Sequence, residues 1–184
     1  MDTGEMVKQS LPLLILCGFG AILTGGTLSG MTRVLESIPG LIVVIPGVIA
    51  MRGNISTALG SRIGSAYHLG LIDADNLWSE DLKQNIFGSL ILSVLVSIVI
   101  GVLAYFTSLL LNVYPNPLEL ILIVLLGGVS SAIILTALTI IIVYIVFKKG
   151  YDPDNITGPA LATIGDIITM VCILGSAYLV EVIL

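Results

Sequence analysis

Residues 84–118 read QNIFGSLILSVLVSIVIGVLAYFTSLLLNVYPNPL, thirty-five consecutive positions without a charged side chain. The part through Leu111 exceeds the roughly 20 apolar residues a helix needs to cross the hydrocarbon core of a bilayer. The sequence Asn112-Val-Tyr-Pro-Asn-Pro117 cannot continue that helix, because proline lacks the N–H and clashes with the preceding turn. One acid, Glu119, then separates this turn from residues 120–147, another 28 without charge. The passage predicts two antiparallel membrane helices joined by a sharp turn.

Three further runs extend the pattern. Residues 9–32 are uncharged over 24 positions, 37–51 over 15, and 155–180 hold a single Asp in 26. The expected spans are about 9–30, 38–59, 86–111, 118–147 and 159–181, the second being completed by the weakly polar stretch after Met51. Lipid leaves the backbone no outside partner, and the alternation a barrel would need is absent, so helices are the default. The fold class expected is an all-α membrane protein with five transmembrane helices, residues 1–184 forming a single transmembrane domain. The first run is expected to remain as a span. It is too long for a signal core, its flank is acidic, and no small-residue cleavage site follows.

Composition agrees. Of the 184 residues 57% are apolar and 10% charged, with a mean hydropathy of +1.13, whereas a soluble domain is about a quarter charged. That excludes an ordinary soluble enzyme. A net charge of -5 without clustered Lys or Arg excludes a nucleic-acid partner. Cys17 and Cys172 both fall inside apolar runs, far from any metal or disulfide spacing, and read as small core residues.

Basic residues set the orientation. Five spans put Lys8, Arg52, Arg62, Lys83, Lys148 and Lys149 on one side and Arg33 alone on the other. The positive-inside bias then predicts a cytoplasmic N-terminus and a C-terminus outside, and the membrane expected is the cytoplasmic one. Small residues recur at helical contact spacing, Ser89, Ser93, Ser97 and Gly101 in the third span and Gly26 with Gly30 in the first. Close packing inside the bundle and packing between subunits fit such stripes equally well.

Asp166 is the sharpest chemical feature. It lies in GPALATIGDIIT, residues 158–169, with no other charge within ten positions on either side. An intramembrane carboxylate is costly and needs a wet cavity, a cation or a basic partner. Arg52 is the one basic residue at comparable depth, so an ion pair between them is the bland alternative to a cation ligand. Ala162, Asp166, Thr169, Ile173 and Ser176 recur at spacings of four and three, which predicts one mostly small or polar face suited to a pore lining. Pro159 is expected in the first turn of that helix, after an opening at Gly158, which puts Asp166 roughly 10 Å into the span.

A second constellation is PGVIAMRGNISTALGSR, residues 46–62. Pro46, Gly47 and Gly53 are expected to loosen the helix and free carbonyl oxygens, while Asn54, Thr57 and Ser61 share a face at about the depth of Asp166.

These residues carry a resemblance. Pro46 to Asn54, ending in Gly-Asn, followed by Ser61-Arg-Ile-Gly-Ser65 and Tyr67-His-Leu-Gly70, resembles the signature of the MgtE-type magnesium transporters and, more closely, of their eukaryotic relatives in solute carrier family forty-one. Leu161-Ala-Thr-Ile-Gly-Asp166-Ile-Ile-Thr169 is similar to the second signature of the same families. The resemblance implies an MgtE-type transmembrane domain of five helices, forming a homodimer with a cation pathway at its interface lined by spans two and five. It implies Asp166 as the ion-binding carboxylate, the Ala162 carbonyl as a ligand through water, and Asn54 as the family's motif asparagine; Thr57 and Thr169 are expected to line the same route.

The chemistry fits. Mg2+ sheds water reluctantly and takes one or two carboxylates while keeping several waters, and no His or Cys stands at this depth to suit zinc or copper. Oxygen ligands do not separate Mg2+ from Ca2+, Mn2+ or Co2+. Mg2+ or a similar divalent cation is thus expected as transported substrate, with the lipid bilayer and a second copy as partners, and with no cofactor and no enzymatic reaction. The chain is also expected to lack the long cytosolic sensor domains of bacterial members, since about eight residues precede its first span.

Other residues have plainer readings. Arg52 is expected to snorkel to the cytoplasmic interface, the alternative being a charge that tunes ion entry at the inner mouth, and His68 to be a hydrogen-bonding structural residue. Asp73 with Asp75 and Asp152 with Asp154 read as solvated turns, and Trp78 as an interfacial anchor. The rival function is a non-transporting membrane subunit that assembles with a partner protein, Asp166 pairing with that partner's basic side chain. Channel and coupled carrier are not distinguished by these patterns.

Overall fold

A computed structural model of the chain describes residues 3–70, 79–149 and 153–184. Among them run six helices, α1 (Thr3–Gly30), α2 (Thr32–Ser37), α3 (Leu41–His68), α4 (Glu80–Leu110), α5 (Pro117–Lys148) and α6 (Pro153–Ile183). All but the six-residue α2 are long and apolar enough to cross a membrane. Asp73, Asp75, Trp78 and Asp152 lie outside the described residues, as does the Asp154 side chain.

Local chemistry starts and stops these helices. Asn116 caps α5, its Oδ1 accepting from the Leu118 N–H at 3.0 Å, and Pro117 opens the first turn, where a missing N–H costs nothing. Asn112 takes a positive φ of 59° to close α4 into this turn. The Ser79 hydroxyl accepts from the Leu82 N–H at 3.2 Å, and Glu80 and Asp81 sit against the positive end of α4. Gly40 turns the chain from α2 into α3 at φ +82°, where a Cβ would lie 2.7 Å from the Ser108 hydroxyl. No other residue type fits both demands.

The helices alternate in direction. Gly20 and Cys17 of α1 meet Thr163 and Pro159 of α6, so α1 and α6 are parallel. Gly47 approaches Ile100 and Arg52 reaches Ser93, so α3 and α4 are antiparallel. Gly127 faces Ile173 and Leu135 faces Gly165, which makes α5 and α6 antiparallel too. The core lies where α3, α5 and α6 converge, on Val44, Val48, Ile123, Val124, Met170 and Ile173. The α1 span touches mainly α6 and buries none of its own window.

Several boundaries depart from the sequence reading. α3 continues to His68, α4 begins at Glu80, and α6 begins at Pro153, so each helix projects further toward the expected cytoplasmic side. Pro46, Gly47 and Gly53 lie inside an unbroken α3, and Pro159 lies inside α6 rather than in its first turn. Neighbouring helices on several sides keep α3 continuous, and in lipid a broken backbone costs more hydrogen bonds than a single proline removes. The Pro159 carbonyl accepts from the Thr163 hydroxyl at 3.1 Å and from the Cys17 thiol at 3.4 Å.

The small-residue stripe of α4 packs inside the subunit. Ser89, Ser93, Ser97 and Gly101 are all buried, and a Cβ on Gly101 would stand 3.0 Å from the Ile121 Cα of α5. Gly127 makes the matching approach of α5 to α6, 3.1 Å from the Ile173 Cα. Gly127→Leu is therefore expected to lower resistance to SDS unfolding by about 1–3 kcal/mol, through forced separation of the two helices. Gly18→Leu, with nothing within 4 Å, is expected to change little. Equal effects would remove the close approach as a determinant of stability.

Candidate cation site

The carboxylate of Asp166 is half-buried on α6. Among the described residues the one salt bridge joins Lys83 to Glu80, at 3.4 Å on the surface, so Asp166 has no basic partner there. The ion pair with Arg52 that the sequence left open is not formed.

Depth follows from helix contacts. A Cβ on Gly60 would stand 3.1 Å from Thr157 and 3.6 Å from Leu161, which fixes the level at which α3 and α6 pass each other in opposite directions. Six residues back along α3 is Asn54, and five to nine residues on along α6 is Asp166, both roughly 9 Å deeper at about 1.5 Å per residue. The two share a level. They do not share a contact: at about 100° per residue, Asn54 is turned about 120° from Gly60 and Asp166 about 140° from Leu161. Asp166 turns toward the side of α6 along which α1 runs at Pro159 and Thr163.

Asn54 and Thr57 lie on an open strip of α3. Pro46, Ala50, Asn54, Thr57 and Ser61 recur at spacings of four and three, and every one is exposed. On α6 the expected pore face divides in two. Ala162 is exposed and Asp166 half-exposed, but Thr169, Ile173 and Ser176 are buried at 0%, 0% and 4% exposure. The physical reason is α5, which closes on this side of α6 where Gly127 lies against Ile173. Thr169 is nonetheless unusual, because its buried Oγ1 has no hydrogen-bond partner, and Thr157 is in the same position.

Arg52 corrects the sequence reading most. Instead of snorkelling to the interface it is 1% exposed, between α3 and α4. Its Nη1 donates to the Ser93 hydroxyl at 2.9 Å and Nη2 to the Ser56 hydroxyl at 3.4 Å, while Nε has no partner. It therefore drops out of the basic residues at the expected inner interface, leaving Lys8, Arg62, Lys83, Lys148 and Lys149 against Arg33. The signal available in sequence was the Ser89-Ser93-Ser97 stripe on α4, a row of acceptors for a buried donor. His68 packs edge-on to Phe147 at 5.3 Å between ring centres, and Tyr67 stacks on the same ring at 4.0 Å, tying the ends of α3 and α5 together.

Among the described residues no three His, Cys, Asp or Glu side chains converge. One chain thus offers one carboxylate, a few hydroxyl, amide and carbonyl oxygens, and a buried guanidinium at one level.

The family model for MgtE, described as a divalent cation transporter, matches residues 45–176, which takes in both the α3 strip and the Asp166 segment. The chain belongs to the MgtE family. It is also similar to solute carrier family 41 member 2 of Homo sapiens, 29% identical over 179 residues, covering 92% of this chain and 30% of that protein. The Xenopus laevis member 2 is 29% identical over 175 residues, covering 90% and 30%. Member 3 of Rattus norvegicus is 26% identical over 172 residues, covering 89% and 36%. The chain spans about a third of the length of these curated relatives. In this MgtE chain the all-helical fold with five candidate membrane spans agrees with the sequence reading.

Cysteines placed in a Cys17→Ser, Cys172→Ser background separate a wet strip from a lipid face. Asn54→Cys and Thr57→Cys are expected to react with a charged methanethiosulfonate reagent in membranes, and Ile98→Cys, on the apolar face of α4, is not. Equal protection at all three positions would mean that the α3 strip faces lipid.

Proposed function

We propose that this chain carries Mg2+, or a divalent cation of like chemistry, across the cytoplasmic membrane as a homodimer. Residues 1–184 act as a single transmembrane unit, with the N-terminus cytoplasmic and the C-terminus outside. The route is lined by α3 and α6. Asp166 attracts and holds the ion, the Ala162 carbonyl and the Asn54 amide reach it through its water shell, and Thr57 supplies a further oxygen along the way, whereas Thr169, buried against α5, stays off the route. No covalent chemistry is involved.

The observation that carries this reading is a half-buried intramembrane carboxylate without a basic partner among the described residues. A lone carboxylate at that depth calls for water or a cation beside it. Family membership supplies the cation's class. The dimer is supported by geometry: Asn54 and Asp166 share a level but are turned apart, so a route lined by both needs a second copy that presents its α3 strip or its Asp166 to the first. Two carboxylates around a shared axis also match the small number that Mg2+ takes when it keeps most of its water.

Purified chain in liposomes containing a Mg2+-sensitive dye is expected to admit Mg2+, and Asp166→Asn at equal incorporation to lose at least about tenfold of the initial rate, as expected for loss of an intramembrane charge. Asparagine keeps the shape of the side chain, so folding and dimerisation should be unchanged by gel filtration. Undiminished flux through Asp166→Asn would overturn the assignment, and no flux through well-folded parent protein would favour a subunit that needs a partner.

A further inference from the structure

The most deeply buried charge among the described residues is Arg52, at 1% exposure. It has no acidic partner there, since the single salt bridge is Lys83–Glu80. Two serine hydroxyls hold its outer nitrogens, at 2.9 Å from Ser93 and 3.4 Å from Ser56. Ser93 in turn donates its own proton to the Ser89 carbonyl at 2.7 Å, which leaves its oxygen lone pairs aimed at the guanidinium. The third nitrogen, Nε, is unpaired.

A clamp between α3 and α4 does not explain this arrangement. Neutral side chains join membrane helices through hydrogen bonds without burying a charge, and without leaving a donor unmatched. A guanidinium also cannot shed its proton to escape the cost. What Arg52 adds that a neutral side chain would not is a permanent positive field.

The field falls on the Asp166 level. Arg52 is two residues from Asn54 and so about 200° around α3 from it, behind the helix as seen from the open strip. At one helix width, about 10 Å, it cannot touch an ion on that strip or the water around it. Its burial inside the subunit also keeps it from a second copy.

Resting on the transport reading above, we propose that Arg52 is an electrostatic counterweight to Asp166: a fixed charge, held behind α3 by Ser93 and Ser56, that weakens the hold on a divalent cation enough for it to leave. A carboxylate pair in a medium of low dielectric binds a doubly charged ion too tightly for rapid passage unless something opposes it. Conduction requires binding weak enough to release. Across about 10 Å, with an effective dielectric constant of about 50 for protein and the water of the open side, one such charge changes divalent affinity on the order of tenfold. A monovalent ion feels half the energy, so its shift is the square root of that, roughly threefold.

Two substitutions with opposite effects on the clamp test the sign. Arg52→Gln removes the charge and part of the hydrogen bonding. Ser93→Asp keeps the arginine, strengthens its contact and cancels its field with a carboxylate. In the 184-residue chain, both are expected to lower the Mg2+ concentration for half-maximal liposome uptake, and the dissociation constant by titration calorimetry, on the order of tenfold. Na+ competition should shift only about threefold. Unchanged or weaker Mg2+ binding in folded Ser93→Asp overturns the proposal. Should Arg52→Gln not fold, Ser93→Asp decides alone. Parent protein that neither binds nor admits Mg2+ overturns the transport reading itself, an outcome distinct from a functional parent whose variants fail to tighten.

Discussion

Everything in this bundle follows from the lack of hydrogen-bond partners in lipid. Each hydroxyl along the spans must find an acceptor, and most turn back onto their own helix: Thr24 to the Gly20 carbonyl, Ser108 to Ala104, Ser130 to Leu126 and Thr139 to Leu135, at 2.7–3.1 Å. A hydroxyl satisfied in this way is a small side chain with no further demand. Small side chains can therefore sit at helix crossings, where Gly101 lies against Ile121 and where Ser97, whose hydroxyl donates across to Met51 Sδ of α3 at 3.8 Å, lies against Gly128. Close approach then supplies the van der Waals contact that holds membrane helices together when burial from water no longer distinguishes them from lipid.

Against that background the exceptions are informative. Arg52 Nε, Thr157 Oγ1 and Thr169 Oγ1 are buried without partners, and Asp166 is half-buried without a basic partner among the described residues. Arg52, Ser93, Asp166 and Thr169 fall close to one level by the antiparallel register of α3 with α4 and α6. The level is graded: a cation behind α3, an unpaired hydroxyl in the core, a carboxylate at its edge, and an amide with a hydroxyl on the open strip. Unmet polar demand is costly wherever it occurs in a membrane. Arg52, Thr169 and Asp166 gather near one level, while Thr157, nine residues before Asp166, stands apart at the level of Gly60.

The helices were legible because charge-free runs longer than a bilayer's thickness have one reading. So was the α4–α5 turn, where Asn116 and Pro117 act as the sequence implies. Helix ends on the expected cytoplasmic side were less legible, because α3, α4 and α6 continue as ordinary helix into polar residues that hydropathy assigns to loops. The breaks expected at Pro46 and Gly53 assumed that local preference decides, whereas contacts with α4, α5 and α6 override it. Asn54, Thr57 and Asp166 could be singled out by residue type and spacing. Which face each occupies could not, because α5 covers the Thr169–Ile173 side of α6 and only packing reveals this. The burial of Arg52 likewise depends on a serine that is distant in sequence.

The partial exposure of Asp166 is central to the proposed transport. Fully inside the subunit, it would need a permanent counter-ion, and a permanent counter-ion would compete with any passing one. Fully against lipid, it would be protonated or pull water through the bilayer at high cost. At the margin of α6, beside α1 and clear of the α3 seam, it is sheltered by protein on one side and free on the other. On the proposed reading that free side meets a second copy, and the shared space stays wet because each wall carries oxygen rather than hydrocarbon. Arg52 then acts from outside that space, where its charge is felt and its hydrogen bonds are not. This division lets a strong ligand and a weak net hold coexist on the same pair of helices.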